Sequence, residues 1–445
     1  MTPRAREVPP LAKPRKPRLP AVAERVLDNG LRVVAVRRGG VPMVHARLRI
    51  PFAGRKPEHL PKRWALDATM LHGTAEHSRT ELAVAMQEIG GALSVGTDAD
   101  RLQIRGESLA KGLPRMLELI GEVVTSAAYP SDAVAGEVER LQTVLRQRLS
   151  QPAEVAAEAL RHRLYDGHPY GRDLPTPDEV AGVTAAAVRS LHRRWVVPAG
   201  SLLVLVGDIT PARALDHVEA RLQGWSGKGT ARLPKPDVPV GGGLTLVDRP
   251  GAVQSNIRLG GPALPRTDDP AYAAMSLANV VFGGYFASRL VQNIREDKGY
   301  TYSPRSGITH GDTASAVVVE ADVATEVTAP ALVEIAYELG RVATTPVTAE
   351  ELDSAAHYTS GILALQTATQ SGLASTLEDL LADGLDVSWL RTYPERLARV
   401  TTDEVREQAQ RHFAPARLAT VVVGDASRVQ DELAGLAEVV PADGV

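Results

Sequence analysis

The 445-residue chain has no cysteine. That removes disulfides, thiolate nucleophiles and cysteine-bound zinc or iron–sulfur clusters together. Neither charge dominates: the formal net charge is −3, so no broad basic field points to nucleic acid. No apolar run approaches the roughly 20 residues that a membrane-crossing helix needs. Also missing are G-x-S-x-G, a phosphate-binding Gly-Lys-Ser/Thr and any pair of histidines four apart, so the common hydrolytic layouts are excluded. Aromatic residues make up only 4%, too few to mark a substrate surface from the sequence alone.

What is present is the composition of a globular chain, 44% hydrophobic and 23% charged. Its length exceeds what one ordinary core fills, so two or more domains are expected. Residues 1–20 hold six Lys/Arg among prolines and no apolar core, which reads as an extended, solvated tail rather than a secretory signal. The stretch from Val183, VTAAAVRSLHRRWVVPAGSLLVLVGD, aligns without a gap on the stretch from Val400, VTTDEVREQAQRHFAPARLATVVVGD. The offset is 217 residues and 11 of 26 positions are identical. In both, a Thr N-cap (Thr184, Thr401) opens an amphipathic helix, a Pro (Pro198, Pro415) follows it, and a β-branched strand ends in Gly-Asp. The chain is therefore a duplication. Its expected division is a basic tail at 1–20, a first half at 21–225, a Gly/Pro/Lys-rich linker at 226–243 and a second half at 244–445.

Apolar residues on both sides of Asn29-Gly30 read as a β-hairpin. Ser78 followed by Glu81 is a capping box opening a helix, and LSVGT with DRLQIRGES reads as a strand pair. A helical stretch from Leu109 to about Leu164 is broken near Tyr129-Pro130 and Gln151-Pro152. The second half repeats this order, with strands expected at Tyr300–Thr309 and Ala314–Ala321. The fold class is α+β: two homologous halves, each an antiparallel-rich sheet with helices packed on one side, joined by a linker.

The blocks LHGT-x3-SRTEL-x5-EIGGALSVGTD, HPYGR and SRLVQNIREDKGYTYS, in this order within paired α+β halves, resemble the pitrilysin/insulinase metallopeptidases, known for H-x-x-E-H. The resemblance covers about residues 22–430. In catalytic members the two histidines bind zinc and the Glu activates water, just before a Gly-Thr pair. Counting back from Gly73-Thr74, the corresponding residues are Trp64, Asp67 and Ala68. Indole offers no lone pair to a metal and a methyl group offers nothing. The third family ligand, a later Glu, corresponds to Gln147, with Glu137 and Glu139 nearby. No metal is expected in this chain, and the histidine pairs His72/His77 and His162/His168 read as hydrogen-bonded or exposed side chains.

The second half keeps the family's other motif in Arg295-Glu296-Asp297-Lys298-Gly299-Tyr300-Thr301-Tyr302. On physics alone this is a helix from Ala287 to Lys298 closed by Gly299 in the left-handed region. Two tyrosines then share one face of a following strand, with no function required. The resemblance gives Arg295 the role of a clamp on substrate carbonyls and Tyr302 that of a hydroxyl donor to the scissile carbonyl; Tyr300 takes that role if the register differs. Upstream, Gly283-Gly284 reads as a turn that a bound strand could approach.

Loss of the metal motif beside retention of the Arg/Tyr pair implies the non-catalytic member of a two-chain peptidase. Such a chain has no cofactor of its own. Its partners are a homologous zinc-bearing subunit with H-x-x-E-H and a peptide substrate, with no nucleic acid or membrane, and its location is cytoplasmic. The competing expectations are a scaffold subunit, which needs neither Arg295 nor Tyr302, and a stand-alone peptide-binding protein.

Overall fold

Period-two burial along the first strand, continuous burial along the second and a tight Asn-Gly turn between them set the start of the fold. In the computed structural model, which describes residues 21–442 apart from 53, 55, 228, 230 and 231, β1 (Val22–Val26) turns at Gly30, φ +87°, into antiparallel β2 (Arg32–Arg37). The basic tail 1–20 and parts of the linker lie outside the described residues. With β3 (Met43–Pro51), β4 (Ala92–Thr97), β5 (Arg101–Leu109) and β6 (Leu202–Gly207), these strands form a sheet ordered β1-β2-β6-β3-β5-β4. The second sheet is built from β7 (Leu244–Asp248), β8 (Gln254–Ala263), β9 (Arg305–His310), β10 (Ser315–Ala324), β11 (Ala419–Gly424) and β12 (Val439–Pro441), ordered β12-β7-β11-β8-β10-β9. Five neighbouring strands thus repeat in the same order. The sixth differs, since β1 runs antiparallel to β2 and β12 parallel to β7.

The repeat read from the sequence lands on matching elements. Helix Ala185–Trp195 and β6 correspond at the 217-residue offset to helix Thr402–His412 and β11. Thr184 and Thr401 cap their helices through the amides of Ala187 and Glu404, at 3.2 and 3.3 Å. Ser78 and Glu81 form the expected capping box. The long helical stretch divides into Leu113–Ser126, Ser131–Leu149 and Pro152–Tyr165, because a residue before proline is pushed out of the helical region.

Each half packs its own helices on one face of its sheet around a separate core. The opposite faces are covered by exchange. Helix Pro152–Tyr165 of the first half lays Ala156, Ala159, Leu160 and Leu164 on Ala316, Ala419, Val421 and Val423 of the second sheet. Its repeat equivalent, Gln370–Ala382, lays Leu373, Ala374, Leu377 and Leu381 on Val34, Val36, Leu202, Val204 and Val206 of the first. That is why β6 is buried along its whole length. Among the described residues no helix is long and apolar enough to cross a membrane.

Candidate functional site

Helix His59–Thr69 carries Trp64, Asp67 and Ala68 on the turns that pack against the first core. Trp64 is half-buried, and its indole Nε1 donates to the carbonyl of Asp173 at 3.0 Å. The Arg148 guanidinium carbon stands 5.5 Å from the centre of the Trp64 ring, a cation–π contact. Asp67 accepts from the amide and hydroxyl of Thr97 in β4, at 3.2 and 3.4 Å. Burial pushes its carboxyl above the usual range, while the Thr97 bonds pull the other way. Zinc needs lone pairs on facing donors. Trp64 has only an N–H, already donated; Ala68 has nothing; Asp67 is bonded to Thr97; and the neighbouring charge, Arg148, is a cation. These residues do not fit a zinc ion.

Gln147 corrects one expectation. It is exposed on helix Ser131–Leu149, and the residue of that helix that reaches Trp64 is Arg148. Successive helical residues are turned by about 100°, so a shift of one position changes the face presented. Val144, one turn before Arg148 on the same face, carries no donor atom.

The histidines have structural partners. His72 lies 3.7 Å from Glu137, and burial is the main reason its pKa falls below the ordinary value. Glu76, His77 and Glu122 bring their ligand atoms within 4.8 Å of one another. His77 nevertheless spends Nδ1 on Glu122 at 2.7 Å and Nε2 on the Arg115 guanidinium at 3.1 Å. An arginine donates only, so Nε2 accepts and Nδ1 carries the proton. The protein's own cation fills this cluster. His162 pairs with Asp166 at 3.6 Å. His168 accepts from the Tyr170 amide at 3.1 Å and donates to the Pro234 carbonyl at 3.0 Å, holding the HPYGR loop.

Arg295 and Tyr302 are brought together on the surface of the second half. The Arg295 guanidinium carbon lies 4.9 Å from the centre of the Tyr302 ring and 4.8 Å from that of Phe286. Tyr302 is 81% exposed and Phe286 62%; Arg295 Nε is 3.2 Å from Glu296. The helix that carries Arg295 widens to a π-type turn over Gln292–Asp297, with Lys298 N bonded to the Asn293 carbonyl at 3.0 Å. Gly299 at φ +67° ends it, and Tyr300 N returns to the Ile294 carbonyl at 2.8 Å. Polar bonds fix this segment to two helices behind it. Arg289 forks onto Glu351 at 2.7 and 2.8 Å, holding that carboxyl down to about 2. Asn293 donates to Glu334 and Glu338, each at 3.0 Å, and Lys298 pairs with Glu334 at 3.2 Å.

Two further expectations change. Residues 300–304 are irregular and β9 begins at Arg305, so the two tyrosines do not share a strand face. Tyr300 packs against the second core, and only Tyr302 faces out. Gly283-Gly284 lies in the π-type turn Val280–Gly284. A Cβ at Gly283 would meet Ser306 Oγ at 2.9 Å, and one at Gly284 would meet Asn279 Nδ2 at 2.9 Å. Internal packing therefore explains both glycines. Phe286 went unrecognised in the sequence, because a phenylalanine two residues past a glycine pair signals nothing about an arginine nine positions on.

Two family models match in succession: "Insulinase (Peptidase family M16)" over residues 65–178 and "Peptidase M16 inactive domain" over residues 182–358. An uncharacterised zinc protease of Mycobacterium tuberculosis is 27% identical over 369 residues, 81% of this chain and 82% of that protein. One from Streptomyces coelicolor is 24% identical over 246 residues, 54% of this chain and 53% of that protein. Among solved structures, a peptidase M16 inactive domain from Pseudomonas fluorescens matches with TM-score 0.84 and 22% identity, over 91% of this chain and 98% of that one. A protease from Helicobacter pylori matches with TM-score 0.82 and 19% identity, over 91% and 100%. The two-sheet fold is shared with both structures, and with two models of one family matching in succession over residues 65–178 and 182–358 the chain belongs to the M16 (insulinase) peptidase family.

Proposed function

We propose that this chain is the non-catalytic, substrate-binding subunit of a heteromeric zinc metallopeptidase. It supplies Arg295 and Tyr302 to a cleft shared with a homologous subunit that bears H-x-x-E-H. The observation that carries this is the contrast between the two motifs. At Trp64, Asp67, Ala68 and Arg148 the side chains are spent on bonds and contacts within the first half. Tyr302 is 81% exposed, and no side-chain bond among the described residues engages its hydroxyl. A guanidinium stacked on a ring keeps its in-plane N–H groups free for carbonyl oxygens. A phenol beside it can donate to a carbonyl as charge develops there. The peptide would lie extended, pairing with a sheet edge, and water activation is assigned to the partner. The related proteins named zinc proteases support a peptidase context, while the side chains at the motif oppose metal binding in this chain. A cytoplasmic location is part of the same proposal.

The test is reconstitution. This chain, an H-x-x-E-H homologue encoded in the same genome, and their mixture are each assayed on a quenched fluorescent peptide, with mass measured by light scattering. Activity in the mixture alone, with a complex of both chains, is expected. Full activity of the homologue by itself, or no complex with any such homologue, would overturn the proposal.

A further inference from the structure

Arg295 is not an isolated surface arginine. Its guanidinium lies between two exposed aromatic rings, Phe286 at 4.8 Å and Tyr302 at 4.9 Å. The Phe286 ring buries little of its own surface, being 62% exposed in a chain with only four phenylalanines. Hydrophobic burial therefore does not explain its position. Among the described residues the four exposed aromatics, Phe286, Tyr302, Tyr337 and Tyr358, all belong to the second half; the exposed large hydrophobics of the first half are Val22, Val26, Val41 and Val84. Two of these four, Phe286 and Tyr302, flank Arg295.

We propose that Phe286 is a positioning residue: it holds the Arg295 guanidinium against Tyr302, so that clamp and donor form one unit before substrate arrives. This rests on the subunit role proposed above. A free arginine side chain loses rotamer freedom when it binds a substrate carbonyl. A guanidinium already in cation–π contact with two ring faces has given up part of that freedom before substrate binds. Glu296 lies 3.2 Å from Nε as a partly exposed ion-pair neighbour. The rest of the segment is equally constrained: Arg289 to Glu351 anchors it on one side, and Asn293 and Lys298 to Glu334 on the other. The one soft joint left is the Arg295 side chain, and Phe286 closes it. Phe286 needs no contact with substrate to act in this way.

The test uses the reconstituted two-chain enzyme with a quenched fluorescent peptide, and the full-length chain alone for spectroscopy. Phe286→Leu keeps an apolar side chain and removes the ring face; Phe286→Tyr keeps the ring. Phe286→Leu is expected to raise KM about two- to fivefold, the equivalent of one exposed cation–π contact, while Phe286→Tyr stays near the parent. In an Arg295→Ala background, Phe286→Leu should have no further effect. In the isolated chain the Arg295 Nε–H resonance, identified by its loss in Arg295→Lys, should move when Phe286 becomes Leu and stay nearly in place for Tyr. An unchanged KM with an unmoved resonance overturns the proposal. So does an equal KM penalty in the Arg295→Ala background, which would mean that Phe286 touches substrate directly. If Arg295→Ala is itself silent, the subunit role fails. If Arg295→Ala is damaging and Phe286→Leu is silent, only the positioning role fails.

Discussion

Putting His, Glu and His back at Trp64, Asp67 and Ala68 would restore the spelling of a zinc motif without restoring a zinc site. Arg148, whose guanidinium now lies over the Trp64 ring, would face the new imidazole at position 64, and neither Val144 nor Arg148 offers a third ligand, while Glu137 on the same helix is paired with His72 and Arg140. A cation in contact opposes a dication by simple Coulomb repulsion. The parent chain and the triple variant are both expected to hold far less than one zinc per chain after dialysis. Elemental analysis checks this, and one tightly held zinc in the parent would contradict it. Trp64 and Ala68 were legible in the sequence because their side chains lack donor atoms in any environment. Gln147 was not, since assigning a face on a nineteen-residue helix demands an alignment correct to one position. Tyr302 was legible through the spacing of its motif, and Phe286 was invisible because its role depends on a contact across nine residues of bent chain.

Between β9 and β10 a turn, Gly311-Asp312-Thr313, docks on the first half and ties the two halves at a polar joint. Asp312 N donates to Asp100 at 3.1 Å, and Thr313 donates through N and Oγ1 to the Tyr170 hydroxyl at 3.2 and 3.1 Å. That hydroxyl in turn donates to Asp100 at 2.6 Å, while Arg49 pairs with the Asp312 carboxylate. Burial first, and then the Asp312 charge, push the Asp100 carboxyl up to about 6. A carboxyl whose folded pKa lies above its unfolded value contributes stability that is complete below the unfolded pKa. That contribution is lost as pH rises through the folded one. Asp100 should therefore make the chain more stable near pH 5 than near pH 7.5. Thermal unfolding across that window is expected to show a smaller decline in Asp100→Asn than in the parent. Equal slopes would show that Asp100 titrates normally. The HPYGR block was legible as a structural loop, but its partner across the joint was not, because Tyr170 and Thr313 are 143 residues apart and such a contact leaves no local pattern. The irregular stretch 300–304 is held by the π-type turn before it, and the i+5 bond of Lys298 to Asn293 leaves no trace in hydrophobic periodicity.

At the scale of the whole molecule, duplication was visible in eleven shared identities, but the exchange of helices between the halves was not. Helix Gln370–Ala382 carries the same apolar spacing whether it faces its own sheet or the other one, so periodicity could not say which. The exchange makes the outer face of each sheet depend on the other half. Leu377, fully buried on the first sheet, belongs to the second half by sequence. Leu377→Ala should cost roughly 2–5 kcal/mol and shift a single cooperative transition, followed through Trp64, Trp195 and Trp225 of the first half. A first half whose unfolding midpoint is unmoved would contradict the mutual dependence. Such a frame holds Arg295 and Tyr302 on a rigid surface, and what that surface does is best tested by one hydroxyl. In the reconstituted two-chain enzyme, Tyr302→Phe should lower kcat by about 10²–10³, the usual cost of losing one donor to a developing oxyanion. KM and assembly should change little, because the lost bond strengthens chiefly in the transition state. Tyr300→Phe, packed against the core, should keep the parent rate. A Tyr302→Phe enzyme with full kcat would contradict the account.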